Sequence, residues 1–412
     1  MSETRYDVIV FGATSFVGQI LCRYLADHFG VDGELSWAAA GRSQAKLEQL
    51  RTQLGPNAAK LALITADASD ETALRGLCAR GGVIVSTVGP YALYGEPLVK
   101  VCAETGTDYC DLTGEPQWIA KMLSKYEATA QASGARIVHC CGFDSIPSDL
   151  GVLFLQTEAQ RQLGTYCQRV KMRVKAIRGG FSGGTVASLL NAVKEATRDP
   201  QVRKALSNPF SLCPPDKRPK TRQPSLKFAA YDADFGAWMA PFVMAAINSR
   251  IVQRSHALAG QPYGEGFVYD EAVLTGRGFS GRVRATTMAT SMLAFMAATT
   301  VKPTRWLVEK FLPAPGEGPT PEQQEKGRFD MRFHGRSADG RTLRAKVTGD
   351  RDPGYGSTAK MLGQAAACLA LDRPKSELAG GFLTPATAMG EHLITRLRAH
   401  SGLSFELIEQ KS

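Results

Sequence analysis

The chain has 412 residues, of which 44% are apolar and 21% are charged. This length predicts two or three domains, and this composition excludes a mostly disordered or fibrous protein. Lys and Arg outnumber Asp and Glu by 49 to 39, and the resulting net charge of +10 favours anionic partners such as phosphorylated cofactors or lipids. No helix-turn-helix, zinc-finger or RNA-binding signature is present, so no nucleic-acid partner is expected.

The nine cysteines include no CxxC pair and no Cys/His cluster with the spacing of metal ligands. We therefore predict no metal site, reduced thiols and a cytoplasmic location. The uncharged segment 285–301 is too rich in Thr, Ala and Ser for a membrane span, and we interpret it as a buried or interfacial helix. A cluster of basic residues predicts a solvated loop; its members are Lys217, Arg218, Lys220 and Arg222. The alternative is that this loop contacts the inner face of the membrane or a protein partner.

The first 150 residues alternate between strand and helix patterns, which predicts a parallel sheet covered on both faces. Predicted strands cover residues 6–11, 35–40, 61–66, 83–88, 108–112 and 136–140. Predicted helices cover residues 16–29, 44–54, 71–80, 96–104 and 117–133. The sequence therefore predicts an α/β fold that begins with a Rossmann-type domain.

The pattern changes after residue 150. Residues 168–177 alternate polar and apolar as a half-buried antiparallel strand does, and the segments 327–334 and 341–348 predict a hairpin around Asp339-Gly340. We further predict a helix at 183–197, a loop at 200–224 and a strand at 267–274. An apolar helix is predicted at 358–371 and returns to the first domain. This region is predicted to be an antiparallel sheet with flanking helices.

A glycine-containing turn follows the first predicted strand and opens the first predicted helix. It reads Gly12-Ala13-Thr14-Ser15-Phe16-Val17-Gly18. Gly12 permits a tight turn, the N–H groups and dipole at the start of the helix favour a pyrophosphate, and Gly18 lets the helix pack closely on the strand. Ser15 replaces a glycine of the common pattern, so its backbone must adopt a conformation that serine tolerates. This context predicts a dinucleotide-binding turn, the alternative being a turn without a ligand.

The end of the second predicted strand indicates which dinucleotide binds. It reads Ala40-Gly41-Arg42-Ser43 and carries no acidic side chain to hold the ribose hydroxyls of NAD. Arg42 and Ser43 stand where a 2′-phosphate would lie, and a guanidinium matches the geometry of a phosphate. We therefore predict NADP(H) as the cofactor, the alternative for Arg42 being a solvated side chain.

Two later strand ends are also predicted to line the cofactor. Asp67 follows the third predicted strand, where it either accepts a hydrogen bond from the adenine amine or caps a helix. Val88, Gly89, Pro90 and Tyr91 follow the fourth, at the edge where a loop runs under the nicotinamide of such a cofactor.

Several motifs together resemble the saccharopine dehydrogenase-like oxidoreductases, and in particular their trans-acting enoyl reductase branch. They are GATSFVG at 12–18, STVGPYALYGEPLV at 86–99, DYCDLTGE at 108–115, CGFDSIPSDLG at 141–151, SGGTVAS at 182–188 and GGFLTPATAMG at 380–390. The resemblance implies an NADP-binding Rossmann domain at 1–150, completed by 350–412, and an inserted α+β substrate and dimerisation domain at 151–349. It further implies a homodimer that reduces a carbon–carbon double bond of a lipid-like or polyketide-type acyl intermediate.

Two other functions stay open. One is a saccharopine-type amino-acid dehydrogenase, although the arginine cluster of that branch is not found in this sequence. The other is a non-catalytic regulator that binds NADP and has no turnover.

Three residues after predicted strands are candidates for proton transfer or for polarising a substrate carbonyl: Tyr91, Asp111 and Asp144. The alternatives are aromatic packing for Tyr91, anchoring of a loop for Asp111 and capping of a helix for Asp144. The Ser182–Thr185 segment predicts either an anion-holding turn or a structural turn. His139 lies within an apolar strand and is predicted to be a core histidine.

Overall fold

A computed structural model describes residues 5–179, 183–300, 306 and 318–409. The strands in these ranges build two sheets. In chain order they are β1 (Tyr6–Phe11), β2 (Trp37–Gly41), β3 (Ala62–Thr65), β4 (Gly81–Ser86), β5 (Asp108–Asp111), β6 (Arg136–Val138), β7 (Cys167–Arg178), β8 (Ala230–Asp232), β9 (Ala237–Pro241), β10 (Val268–Gly276), β11 (Arg328–Ser337), β12 (Thr342–Gly349), β13 (Gly381–Leu383) and β14 (Leu403–Leu407).

Helices connect most of these strands. In chain order they are α1 (Phe16–Phe29), α2 (Gln44–Leu54), α3 (Glu71–Arg80), α4 (Tyr91–Tyr94), α5 (Glu96–Thr105), α6 (Pro116–Ser133), α7 (Ile146–Leu163), α8 (Gly183–Arg198), α9 (Pro200–Ser207), α10 (Ala245–Leu258), α11 (Gly278–Thr300), α12 (Pro321–Glu325), α13 (Gly356–Ala367), α14 (Pro385–Ala388) and α15 (Gly390–His400). Short 3₁₀ or π segments lie at Pro56–Ala58, Pro215–Lys217, Cys368–Asp372 and Lys375–Glu377.

The first sheet is parallel and has the strand order β13-β6-β5-β4-β1-β2-β3. Its interior strand β1 is buried on both faces, because Val8 and Val10 pack into one apolar cluster while Ile9 and Phe11 pack into another. Burial on both faces explains why β1 reads as a continuous apolar run. The predicted Rossmann-type sheet is confirmed, and its second strand begins at Trp37 rather than at residue 35.

The second sheet is mixed and has the order β14-β12-β11-β7-β10-β9-β8. The predicted hairpin is confirmed, since β11 pairs with β12 antiparallel and places Phe333 opposite Ala345. The long strand β7 is antiparallel to β11, as predicted, but parallel to β10. The parallel pairing is possible because about 90 residues, including α8 to α10, separate β7 from β10 and allow a crossover connection.

The predicted loop at 200–224 is partly helical, because it contains α9. Asp199 caps this helix by accepting a hydrogen bond from the Gln201 N–H at 2.7 Å, and Pro200 occupies the first helical position, where its missing N–H costs nothing. The segment that follows is held on α10: Arg250 donates to Ser211 Oγ at 3.1 Å, and Arg254 donates to a backbone carbonyl. The prolines were therefore misleading as signals of irregular structure.

The C-terminal segment contributes one strand to each sheet, β13 to the first and β14 to the second. The assignment of 350–412 to the Rossmann domain implies that the whole segment belongs with the first sheet. The structure instead places β14 in the second sheet. The predicted return helix is present as α13, which packs against α1. The division into domains at 1–150 and 151–349 stays a prediction.

No helix in the described ranges combines the length and the apolar character needed to cross a membrane. The segment 285–301 falls in α11, apart from residue 301, which lies outside the described residues. Ala285 and Ala289 of this helix are buried, as predicted. Phe279, at the start of the helix, is 81% exposed.

Candidate active site

The turn between β1 and α1 is built around Gly12. Its φ of +86° lies in the left-handed region, and a Cβ at this position would lie 2.8 Å from both Thr87 Oγ1 and Val88 Cγ2. Thr87 Oγ1 also donates to the Gly12 carbonyl at 2.9 Å, which ties the turn to the end of β4. Only glycine fits this conformation and this space, as the motif predicted.

Ser15 fits the turn without strain because its backbone is extended, with φ −70° and ψ 163°. Its hydroxyl accepts a hydrogen bond from the Gly18 N–H at 2.9 Å and lies 3.0 Å from Thr87 Oγ1, so it caps α1 and also joins the turn to β4. Gly18 has no room for a side chain, since a Cβ would lie 2.2 Å from the Gly12 carbonyl oxygen. Ser15 thus stands where the common pattern has glycine, and its hydroxyl caps the helix. The first turn of α1 can still face a diphosphate.

Replacing Gly12 by alanine is expected to weaken NADPH binding about tenfold, or ~1.4 kcal/mol, because the new methyl group would displace Thr87 and Val88. Gly55 offers a matched control, since its φ is +91° and a Cβ there would have no heavy atom within 4 Å. Both G12A and G55A carry a strain of ~1–2 kcal/mol from the left-handed backbone. Isothermal titration calorimetry with NADPH separates the two effects, and equal affinity in both variants would contradict a role for the close packing at Gly12.

Arg42, Ser43 and Asp67 lie after β2 and β3, at the same edge of the sheet as the turn. Arg42 is exposed, and none of the described residues forms an ion pair with its guanidinium. Ser43 caps α2 by accepting from the Lys46 N–H at 3.4 Å. Asp67 accepts two hydrogen bonds from Ser69, which lower the pKa of Asp67, and the nearby charge of Arg42 lowers it further. Arg42 is thus free to meet a phosphate, while Asp67 stabilises its own turn.

Tyr91 is buried, and its hydroxyl already has two partners. It donates to the Ser86 carbonyl at 2.9 Å and accepts from the Leu112 N–H at 3.1 Å. Burial raises the pKa of Tyr91 well above its ordinary value. Through these two hydrogen bonds the phenol joins the ends of β4 and β5, and its proton is directed at the Ser86 carbonyl. Whether Tyr91 donates a proton or packs over the cofactor stays a prediction.

The carboxylate at the end of the DYCDLTGE motif, Glu115, holds the start of α4. Glu115 Oε1 and Oε2 accept from the N–H groups of Tyr91 at 2.9 Å and Ala92 at 3.1 Å, and Oε1 also accepts from Ser188 Oγ at 2.9 Å. Burial raises the pKa of Glu115. Ser188 lies in the SGGTVAS motif, of which Ser182 is outside the described residues, so the predicted anion-holding turn stays a prediction.

Asp111 is fully buried and accepts four hydrogen bonds. The donors are Tyr109 Oη at 2.9 Å, His139 Nδ1 at 2.7 Å, and the N–H groups of Thr113 at 3.1 Å and Cys140 at 3.2 Å. These hydrogen bonds are those expected of the loop-anchoring alternative, and a catalytic role of Asp111 stays a prediction. His139 is the core histidine that the sequence predicted.

The chain bends sharply after β6 at Cys140, whose φ of +62° is unusual for a residue with a side chain. Asp111 stabilises the bend by accepting from the Cys140 N–H with its carboxylate and from the Cys141 N–H with its carbonyl, at 2.7 Å. A strained backbone next to a ligand edge is a common feature of functional sites. Here it directs the following residues, which include Asp144, toward the carboxyl edge of the sheet.

Asp144 is partly exposed, and no other described side chain donates a hydrogen bond to its carboxyl group. Its oxygens lie beside Gly114 and Gly142, where added Cβ atoms would be 3.6 Å and 3.0 Å away. Burial, and next the negative charge of Asp111, raise the pKa of Asp144 to about 7. Of the three predicted catalytic candidates, this one has a carboxyl group that is free and that carries a proton near neutral pH.

Residues far along the chain hold the turn that carries Asp144. Thr358 Oγ1 in α13 accepts from the Phe143 N–H at 3.0 Å. Ser145 Oγ donates to Asn248 Oδ1 in α10 at 3.0 Å, and Asn248 Nδ2 donates to the buried Glu271 at 2.9 Å. The sequence analysis missed Thr358, Asn248 and Glu271, because no local pattern links them to the turn.

Known proteins are similar to this chain over most of its length. Residues 8–138 match the family described as the saccharopine dehydrogenase NADP binding domain. The chain is 38% identical over 411 residues to a putative trans-acting enoyl reductase of Mycobacterium tuberculosis, covering 98% of this chain and 97% of that protein. It is 37% identical over 417 residues to a trans-acting enoyl reductase of Mycobacterium bovis, covering 96% of each.

A solved structure of saccharopine dehydrogenase from Saccharomyces cerevisiae superposes with a TM-score of 0.53 at 15% identity, covering 98% of this chain and all of the other. At this identity the likeness concerns the fold, and it agrees with the predicted α/β architecture. The family match to residues 8–138 confirms the predicted cofactor, NADP(H), and the predicted class, an NADP-dependent oxidoreductase.

Proposed function

Because the chain belongs to the trans-acting enoyl reductase branch of the saccharopine dehydrogenase-like family, we propose that it is an NADPH-dependent enoyl reductase. Its substrate would be an acyl compound of lipid or polyketide type with a carbon–carbon double bond next to the carbonyl. The names of the relatives support this reaction, and the free carboxyl group of Asp144 is the observation in the structure that carries it.

The residues at the carboxyl edge fit a dinucleotide. The tight turn at Gly12 and the close packing at Gly18 place the start of α1, where N–H groups and the helix dipole favour a diphosphate, beside the ends of β1 and β4, and the Arg42 guanidinium is available for a 2′-phosphate. Val88, Gly89 and Pro90 lie in the loop after β4, where we propose that they line the nicotinamide end. When bound, NADPH supplies the hydride for the β-carbon.

Reduction of an enoyl group also needs a proton at the α-carbon, and we propose that Asp144 donates it. A general acid is most effective when its pKa lies near the working pH, and the pKa of about 7 meets this condition. Burial and the neighbouring charge of Asp111 both favour the protonated form of the Asp144 carboxyl group, which is the form that can donate a proton.

The test uses the purified full chain with NADPH and a 2-enoyl thioester. We expect NADPH consumption together with formation of the saturated thioester, identified by mass spectrometry. Oxidation of saccharopine with NADP and no reduction of the thioester would favour the amino-acid dehydrogenase. Binding of NADPH without turnover of either substrate would favour the regulator. Each of these two results would contradict the proposed reaction.

We also propose that the protein lies in the cytoplasm, that it forms a homodimer and that α11 rests on the inner face of a membrane. The exposed side of α11 supports membrane contact: Phe279, Val283 and Leu293 are 81%, 46% and 43% exposed, and Arg282 and Arg284 lie on the same helix, which has no acidic residue. Apolar side chains beside cations are typical of surfaces that bind anionic lipid.

Replacing Phe279 by serine is expected to reduce sedimentation with vesicles that contain an anionic phospholipid by about threefold, because the helix loses its most exposed apolar side chain. Vesicles of zwitterionic phospholipid should sediment little of either protein. Equal sedimentation of F279S and the parent protein would contradict the membrane contact. Sedimentation velocity tests the dimer separately, and a mass equal to the single chain of 44.3 kDa would contradict it.

A further inference from the structure

Two cysteines that take no part in the proposed reaction meet between α3 and α5. Cys78 Sγ lies 3.7 Å from Cys102 Sγ, which is a hydrogen-bond contact between two thiols. Cys102 is fully buried, whereas 5% of Cys78 is exposed. This part of the sheet lies near the amino ends of β4 and β5, opposite the edge that carries the proposed active site.

A cavity of about 300 Å³ opens onto Cys78. Three cations line it: Arg5, Arg75 and Lys375. Arg75 also pairs with Glu71 and Glu104, and Lys375 pairs with Asp108, so the positive charge of the cavity is partly neutralised. A small uncharged oxidant such as a hydroperoxide can enter a cavity of this size, and the cations and hydroxyl groups at its wall favour a thiolate.

The surroundings of the two sulfur atoms shift the pKa values of Cys78 and Cys102 in opposite directions. The hydrogen bond from Cys102 lowers the pKa of Cys78, and Thr105, Thr107 and the charge of Arg75 lower it further, against the effect of burial. Burial raises the pKa of Cys102 well above its ordinary value. Cys78 is therefore the thiol that reacts first, and Cys102 lies directly behind it as a second thiol.

We propose that Cys78 and Cys102 form an intramolecular disulfide when the protein meets a hydroperoxide. The Cys78 thiolate attacks the terminal peroxide oxygen, the O–O bond breaks, the other oxygen leaves as hydroxide (from hydrogen peroxide) or alkoxide, and Cys78 becomes a sulfenic acid. Cys102 sulfur then attacks Cys78 sulfur, the S–O bond breaks, and the Cys102 proton leaves with the hydroxyl group as water. The two thiols are oxidised by two electrons in total, and the peroxide is reduced by the same two electrons.

The geometry requires little movement. The sulfur atoms must approach from 3.7 Å to about 2.0 Å. Both cysteines lie on helices that pack side by side, so a change of side-chain rotamer can close much of this gap. The bond would join α3 to α5 and leave the carboxyl edge of the sheet untouched.

The same molecule provides an internal control. Cys110 and Cys141 are a second pair of neighbouring thiols, but both are fully buried, Cys141 Sγ donates to the Val138 carbonyl at 3.4 Å, and burial raises the pKa of Cys141 well above its ordinary value. If contact between thiols were enough for oxidation, both pairs would react. If the cavity and its charges matter, only Cys78 and Cys102 would react.

The test treats the folded full-length protein with hydrogen peroxide, alkylates the remaining thiols after unfolding and maps the products by mass spectrometry. We expect Cys78 and Cys102 to be lost from the alkylated pool at least about tenfold faster than Cys110 and Cys141, as one linked pair of peptides that dithiothreitol separates. In C102S, a sulfenic acid should accumulate at Cys78 and be trapped by dimedone. Equal rates for the two pairs, or a Cys78 that stays fully alkylated, would overturn the proposal.

Discussion

Replacing Asp144 by asparagine is expected to lower kcat for enoyl reduction by about 10²- to 10⁴-fold, because the amide cannot donate the proton that the α-carbon needs. NADPH affinity should change by less than about twofold, a few tenths of a kcal/mol, since Asp144 is proposed to act on the substrate. Stopped-flow kinetics with a 2-enoyl thioester and calorimetry with NADPH measure the two quantities. A D144N variant that keeps its kcat would remove the basis of the proposed mechanism.

The pH dependence of kcat provides a second test of the role of Asp144. Asp144 has a pKa of about 7 and acts in its protonated form, so kcat of the parent protein should fall as the pH rises through 7. D144N should lose this descending limb. A suitable control is D199N, since Asp199 is exposed and caps α9, and asparagine caps a helix equally well. D199N should keep both the rate and the pH profile of the parent protein.

At high pH, D144N should be more stable than the parent protein, although it should be less active. The pKa of Asp144 is about 7 in the folded chain and about 4 in an unfolded one. The native state therefore binds this proton more tightly, and its stability falls as the pH rises from about 4 through about 7. Asparagine carries no charge to bury, so D144N should have a higher Tm than the parent protein at pH 8 and a similar one at pH 5. A lower Tm at pH 8 would show that the carboxylate stabilises the fold.

Replacing Arg42 by alanine is expected to raise the Kd for NADPH by about 10- to 100-fold, because a charge-assisted hydrogen bond contributes ~1.5–3 kcal/mol. The Kd for NADH should change little, since NADH lacks the 2′-phosphate that the guanidinium would meet. Arg42 has no ion pair with the described residues, so its removal leaves no acid unpaired.

R161A is the matched control for R42A. It removes the same charge from the end of α7, where Arg161 pairs with Glu158 at 2.6 Å on the surface. NADPH affinity should be unchanged in this variant. Equal weakening of NADPH and NADH in R42A, or equal weakening of NADPH in both variants, would contradict the assignment of the phosphate site to Arg42.

The features of the candidate site that could be predicted from the sequence are local in the chain. The glycine turn, the missing acid after β2 and the carboxyl-edge loops all follow from short segments whose geometry depends on neighbouring residues. Gly12 shows why this works: its left-handed φ and its contacts with Thr87 and Val88 come from one strand–turn–helix unit and the adjacent strand. Most of the family motifs fall in these same segments, the exception being SGGTVAS at 182–188.

What the sequence could not supply is the set of hydrogen bonds between distant elements. The Tyr91 hydroxyl lies between the Ser86 carbonyl and the Leu112 N–H, and such backbone partners cannot be predicted from the sequence. Thr358 lies more than 200 residues from the turn that it holds. The helix α9 was missed for a different reason, because proline at a first helical position resembles proline in a loop.

The placement of β13 and β14 has a consequence for biosynthesis. Each is an edge strand, and together they lie within the last 32 residues of the chain. While the ribosome is still adding this tail, both sheets present an unpaired edge, and such edges invite pairing with other chains. A chain synthesised only as far as residue 350 would therefore lack an edge strand in each of the two sheets, rather than keep one of them intact.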